Sequence, residues 1–256
     1  MSQTESTTAE VSAWQRACRS YAEGHLGVAH RALHRHLSLN GDCGRGWELL
    51  GLVYHAWRQW GQARAALEEA SVRVPLSSVA ECALADCYLA EGPTEWARSL
   101  YHQVLRRDSA TLPALLGTAA GLDVLDEPDL AVIACRRAIE FDPEAAQPYF
   151  DLSYYLGRCG APVSRIEASA RRAIQLAPDN ITYRIGLAGF LHTQGRSADG
   201  ALLIGGLTHE HVQGMQCQCC LARLIGVFEA VSDDERACWC RQRQEVLLLS
   251  REGHSC

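Results

Sequence analysis

The 256-residue sequence contains no lysine, and all 24 of its basic side chains are arginine. That absence excludes a phosphate-loop lysine, a Schiff-base lysine and a Ser-x-x-Lys nucleophile pair. Codon bias in a GC-rich genome accounts for arginine-only usage, against the sharper alternative of selected bidentate pairing. Gly-x-Ser-x-Gly, His-Glu-x-x-His and a glycine-rich phosphate loop are also missing, so the chain is not expected to be an enzyme and no catalytic residue is assigned. Positive charge is short as well. A formal net charge of −6 lacks the basic face of a nucleic-acid module, and nucleic acid is an unexpected partner. No apolar stretch reaches bilayer length, so no membrane insertion is expected. Residues 1–10 are Ser/Thr-rich and acidic, without the basic start and apolar run of an export signal, and are expected to form a disordered tail. Twelve cysteines then read as reduced thiols in a cytoplasmic chain.

Hydrophobic residues are plentiful at 48%, and they recur with a period. The stretch 47–75 is the clearest copy. Trp47, Leu50 and Tyr54 share one face of a first helix, Gly51 admits a second helix at close range, and Ala63, Leu67 and Ala70 form the second helix's facing stripe. Pro75 ends the pair. A degenerate earlier copy runs through Trp14, Ala17, Tyr21, Ala29, Leu33 and Leu37, with a break at Gly24. Later copies carry Leu84, Tyr88, Ala97 and Tyr101, then Leu115, Ala119, Ala131 and Ala138, then Leu152, Leu156, Ile166 and Ala173. The last of these fits only with one extra residue near its turn. Ser78-x-x-Glu81 and Ser232-x-x-Glu235 read as capping boxes, and 212–231 reads as a single helix.

Residue types at these intervals resemble the tetratricopeptide-repeat family. The resemblance implies an all-α fold: a right-handed α-solenoid of stacked antiparallel helix pairs, closed by a C-terminal capping helical hairpin. It implies about six repeats over 11–206, bounded as 11–43, 44–77, 78–111, 112–145, 146–180 and 181–206, with 207–256 as the cap and tail. A family of this kind binds peptides or helices in a concave groove lined by the first helices. Carried over position by position, the groove residues are Arg45, Glu48, Leu52 and His55, then Cys82, Asp86 and Leu89, then Asp123, then Phe150, Asp151, Tyr154 and Arg158, and finally His192. Glu48, Asp86 and Asp123 stand where the family's best-known members clamp a carboxylate with cations, so a carboxylate tail would be repelled. The expected ligand is instead an apolar segment with one or two basic residues, held by Phe150 and Tyr154 and paired with Asp86 and Asp123. An ordinary solvated acidic face is the plain alternative.

Two clusters invite a metal. His30 and His34 lie four apart on one helix, but nothing completes a ligand set and a polar surface is expected. In a hairpin turning near Ser232, Cys217, Cys219 and Cys220 fall about eight residues, or roughly 12 Å of helix rise, from Cys238 and Cys240, so the two groups cannot share an ion. They read as small core hydrophobes, against a redox or metal site in which His254 and Cys256 fold back towards His209 and His211. No metal site and no cofactor is assigned. The expected function is a monomeric, non-catalytic adaptor or scaffold for protein interactions. The alternatives are a metal- or thiol-responsive sensor using the final hairpin, and a self-assembling structural module.

Overall fold

The structure is a computed structural model that describes residues 13–252; the expected tail at 1–10, and His254 and Cys256, lie outside the described residues. Every regular element among the described residues is a helix, and the helices fall into two units, Met1–Asp142 and Pro143–Cys256. The first holds α1 (residues 13–22), α2 (Leu26–Leu39), α3 (Gly44–Ala56), α4 (Trp60–Ser71), α5 (Ser78–Glu91), α6 (Thr94–Arg106), α7 (Leu112–Val124) and α8 (Pro128–Phe141). The second holds α9 (Ala146–Arg158), α10 (Val163–Leu176), α11 (Ile181–Thr193), α12 (Ser197–Leu203), α13 (His209–Gly214), α14 (Gln218–Ala230) and α15 (Asp234–Glu252). Helices pack in neighbouring pairs, α3 with α4, α5 with α6, α7 with α8, α9 with α10, α11 with α12 and α14 with α15, while the short α13 packs on α15. None is long and apolar enough to cross a membrane.

Burial follows the sequence pattern. Leu50 is 2% exposed, and Ala63, Leu67 and Ala70 are fully buried between α3 and α4. Gly51 permits that contact: a Cβ there would lie 2.5 Å from Leu67 Cγ, so any side chain would push the pair apart. Trp47 donates from Nε1 to the Gly41 carbonyl at 2.7 Å, tying α3 to the link that precedes it. In the second unit Ile185, Ile204, Leu221, Leu224 and Phe228 form one cluster, which seats α14 on α11 and α12.

One turn is reused. A left-handed residue follows the first helix of six hairpins: Gly24, Arg58 and Asp126 in the first unit, and Gly160, Gly195 and Ser232 in the second. The next residue's N–H then reaches back five residues, as in Gln59 to Tyr54 at 3.0 Å, Glu127 to Leu122 at 2.8 Å and Asp233 to Phe228 at 2.9 Å. This double-bonded cap satisfies the last carbonyls of the first helix and aims the second back along it. The extra residue expected in the fifth copy sits at this point. α10 starts three residues after Gly160, whereas α4, α8 and α12 start two after their left-handed residue.

Three local expectations are corrected. The cap of α5 is Ser77, whose Oγ accepts from the Ala80 N–H, and Ser78 is already helical. The cap of α15 is Asp233, which accepts from the Arg236 N–H at 3.1 Å, because Ser232 is taken by the left-handed turn. The single helix expected over 212–231 is broken at 215–217 into α13 and α14. His34 is exposed as expected, whereas His30 is half-buried. Their Nε2 atoms lie 3.1 and 3.3 Å from Tyr54 Oη, and the His30 ring packs on Trp57 at 5.1 Å, which lowers the His30 pKa chiefly by burial. Towards the outer end of α15, Val246, Leu248 and Leu249 are exposed.

Candidate functional site

Sequence spacing places Arg45, Glu48, Leu52 and His55 on one face of α3, three or four residues apart. The face is real, but its acids are engaged. Glu48 is 5% exposed; its Oε2 accepts from Arg45 at 2.5 Å, and its Oε1 accepts from the Ser77 backbone N–H at 3.0 Å and the Ser77 hydroxyl at 2.5 Å. This corrects its reading as a ligand-facing carboxylate: it fastens the start of the following hairpin, whose first N–H groups need acceptors. Asp86 on α5 is held likewise. One oxygen lies 2.8 Å from His55 Nε2 and the other accepts from the Tyr101 hydroxyl at 2.5 Å. Cys82 is also interior, its thiol pushed up by burial first and the Asp86 charge second. Leu89 and Asp123 are half-buried on α5 and α7. What stays open on this unit is a shallow pocket of about 250 Å³, where Arg45, Glu48 and Leu52 meet Trp14, Cys18 and Tyr21 of α1.

The second unit has the better-formed site. Phe150, Asp151, Tyr154 and Arg158 project from one face of α9 into a pocket of about 440 Å³, walled by Ile166 and Ala170 of α10, by α11 and by Arg223 of α14. Two glycines make the space. The Phe150 ring lies where a Cβ on Gly186 would be, 2.6 Å away, and the Arg223 chain crosses Gly189 at 2.9 Å. Phe150 packs on Tyr183 with ring centres 4.7 Å apart, so the aromatic wall is fixed in place. Tyr154 is 48% exposed and stands at the rim. His192, the remaining expected groove residue, lies outside this pocket; its Nδ1 is 2.9 Å from Ser197 Oγ and its ring packs on Gly226, which ties α11 to α12 and α14. Sequence reasoning named Gly189 among the groove positions but missed Gly186, Phe190 and Arg223. The two glycines three apart in α11 were a usable signal, because glycine inside a helix is costly unless a neighbour needs the room.

Asp151 is the acid at this site. Burial raises its pKa from 3.8 to about 6, against the hydrogen bond it accepts from Gln147 Nε2 at 2.7 Å. A carboxylate raised in the native state adds stability below its unfolded pKa and loses it as pH climbs through the folded value. Asp151→Asn should therefore match the parent at about pH 3.5 and exceed it at about pH 8 by about 1–3 kcal/mol. Urea unfolding at the two pH values checks this. Equal differences at both would show that burial of the charge carries no cost.

Helix hairpins of this length, joined by the same capped turn and packed through Leu, Gly and Ala at fixed intervals, define a class: the chain has the tetratricopeptide-repeat fold. Among solved structures it is similar to a tetratricopeptide repeat protein from Parabacteroides merdae, with a TM-score of 0.67 and 14% identity over 94% of this chain and 93% of that one. It is similar to pilF of Pseudomonas aeruginosa at a TM-score of 0.64 and 19% identity, over 80% and 91% of the two chains. A third likeness is to YrrB, described as a TPR protein with an unusual peptide-binding site, at a TM-score of 0.51 and 15% identity over 65% and 86%. No family model and no curated protein matches the sequence.

Proposed function

We propose that the protein is a non-catalytic interaction module that holds a peptide or helix of a partner protein, with the α9–α11 pocket receiving one apolar side chain. The observation that carries this reading is the open, glycine-floored pocket with an exposed tyrosine at its rim. The peptide-binding site named for YrrB supports the same class of activity. The pocket gathers one carboxylate and two guanidinium groups but no thiol or imidazole, which favours holding over chemistry. Asp86 is engaged by His55 and Tyr101, so the charge partner for a basic residue of the ligand is Asp151. Binding to such a ligand should strengthen as pH rises through about 6, where Asp151 ionises.

Gly157 provides the test. It lines the pocket within α9, and a Cβ there meets only Ile166 Cδ1, at 4.0 Å. Gly157→Leu should fill the pocket while keeping or slightly raising stability, since leucine is the better helix former by about 1 kcal/mol. A displayed random-peptide library selected on the parent protein supplies the ligand, and fluorescence anisotropy reads its affinity. The expected result is enrichment of apolar peptides bearing Arg or Lys, and at least about tenfold weaker binding to Gly157→Leu, equivalent to about 1.4 kcal/mol. Undiminished binding to the filled variant, or no enrichment on the parent, would sink the proposal.

A further inference from the structure

Two cysteines at the start of α14 do not behave as core residues. Cys240 is fully buried and fits the reading of a small hydrophobe, whereas Cys217 and Cys219 are exposed to solvent. With Cys220, which is 7% exposed beneath them, their sulfur atoms all lie within 4.8 Å of one another. No other group of three or more His, Cys, Asp or Glu does so among the described residues. The break at 215–217 creates the cluster. A continuous helix would carry Cys217 and Cys219 about 200° apart, on opposite sides; with Cys217 extended at the cap of α14, its Sγ comes to 2.7 Å from that of Cys219.

The surroundings are soft and accessible. Cys217 and Cys220 line a pocket of about 610 Å³ beside Met215, which adds a thioether to the sulfur donors nearby. His211 reaches the same pocket, but its Nδ1 is bonded to the Thr208 N–H and hydroxyl, and no imidazole or carboxylate joins the sulfur cluster. The hydrogen bond from Cys219 lowers the Cys217 thiol to about 7, while that same bond raises Cys219 and burial pushes Cys220 up to about 12. Arg223 lies one turn further along α14, and the helix N-terminus adds a positive dipole beside the sulfur cluster.

We propose that Cys217, Cys219 and Cys220 form a binding site for a soft, thiophilic cation of low coordination number, with cuprous copper as the matching type. Thiolate and thioether donors select such cations, whereas tetrahedral zinc would require a fourth donor that the cluster does not contain. Ligands about 2.3 Å from a shared ion stand about 4 Å apart, so Cys217 and Cys219 must separate slightly. Both are exposed and can move. Binding forms three sulfur–metal bonds; the protons still held by the thiols pass to solvent, and no electron is transferred.

The test uses the full chain, reduced and free of oxygen, with one equivalent of cuprous ion and a chromophoric copper chelator as competitor. The comparison is between the parent, the double variant Cys217→Ser/Cys219→Ser, and the control Cys159→Ser/Cys238→Ser, which changes two exposed cysteines outside the cluster. Circular dichroism establishes that all three are folded. The expected result is one retained equivalent in the parent and control, with three sulfur neighbours by X-ray absorption, and loss of that equivalent in the double variant. Failure of the parent to retain copper, or retention by Cys217→Ser/Cys219→Ser, overturns the proposal.

Discussion

Tyr101→Ala is expected to destabilise the first unit by about 3–5 kcal/mol, the range for emptying a large aromatic site. Tyr101 is fully buried on α6, its hydroxyl donates to Asp86 on α5, and its ring lies against bare Gly121 on α7. Three helices therefore meet at one side chain. Burial, then the Asp86 charge, holds its phenol far above the ordinary range, so the hydroxyl stays a donor at every working pH. Tyr101→Phe keeps the ring and loses only the bond to a carboxylate still held by His55, so about 1.5–3 kcal/mol is expected. A double-mutant cycle separates packing from hydrogen bonding. Gly121→Ala places a methyl against the Tyr101 ring and should cost about 1–3 kcal/mol in the parent. In the Tyr101→Ala background the same methyl enters the vacated space and should cost little or stabilise. Equal costs of Gly121→Ala in the two backgrounds, by urea denaturation, would show that the contact is not what sets the price of either change.

Arg107→Ala is expected to cost about 3 kcal/mol at neutral pH, because it leaves a buried carboxylate without its cation. Glu81 is 4% exposed on α5; its Oε1 accepts from Arg107 at 2.7 Å and from Gln103 at 3.0 Å, while its Oε2 has no partner. Arg107 also donates to the Leu76 carbonyl at 2.8 Å, so it closes the link between α4 and α5. Burial raises the Glu81 pKa from 4.5, Arg107 opposes that, and Glu48 adds to it. The sign of the pH effect follows. A raised carboxylate favours folding below its unfolded pKa and loses that contribution as pH rises through the folded value. Without Arg107 the folded value climbs further, so the charge-dependent part of the deficit should be absent below about 4.5 and grow as pH rises above the parent's raised value. Adding Glu81→Gln should recover much of the loss at about pH 8, since no charge is then stranded. A deficit that stays constant from about pH 4 to pH 8 would assign the effect to the Leu76 contact instead.

The helix pairs were legible because they depend on short-range repetition. Leu50, Gly51, Ala63, Leu67 and Ala70 lie within one hairpin, and their spacing alone implies the packing that the structure shows. Ends of helices were legible only to within a residue: Ser77 and Asp233 took the caps expected of Ser78 and Ser232, because the turn geometry chooses the capping residue. The candidate surfaces were legible in part. Phe150, Asp151, Tyr154 and Arg158 do share a pocket, since residues three or four apart share a helix face. Glu48 could not be read that way. Its role depends on Ser77, a residue of the next hairpin that requires an acceptor, and no local pattern states that requirement. The group Cys217, Cys219 and Cys220 was visible in the sequence, but its convergence was not, because that requires an interruption between α13 and α14 where the residue pattern allowed one continuous helix.

The left-handed residue of the hairpin turn also sets a metre. Arg58 follows Gly24 by 34 residues and Gly160 follows Asp126 by 34, while the next intervals are 35 and 37. In-frame duplication or deletion of a whole 34-residue measure would therefore add or remove a complete hairpin with its turn intact, and the remaining hairpins would keep their internal contacts. An insertion of any other length has to be absorbed in a link, as Ala161 and Pro162 absorb one after Gly160. Lengthening of the beat after Gly160 marks the C-terminal part as the stretch where this modular grammar has already been relaxed.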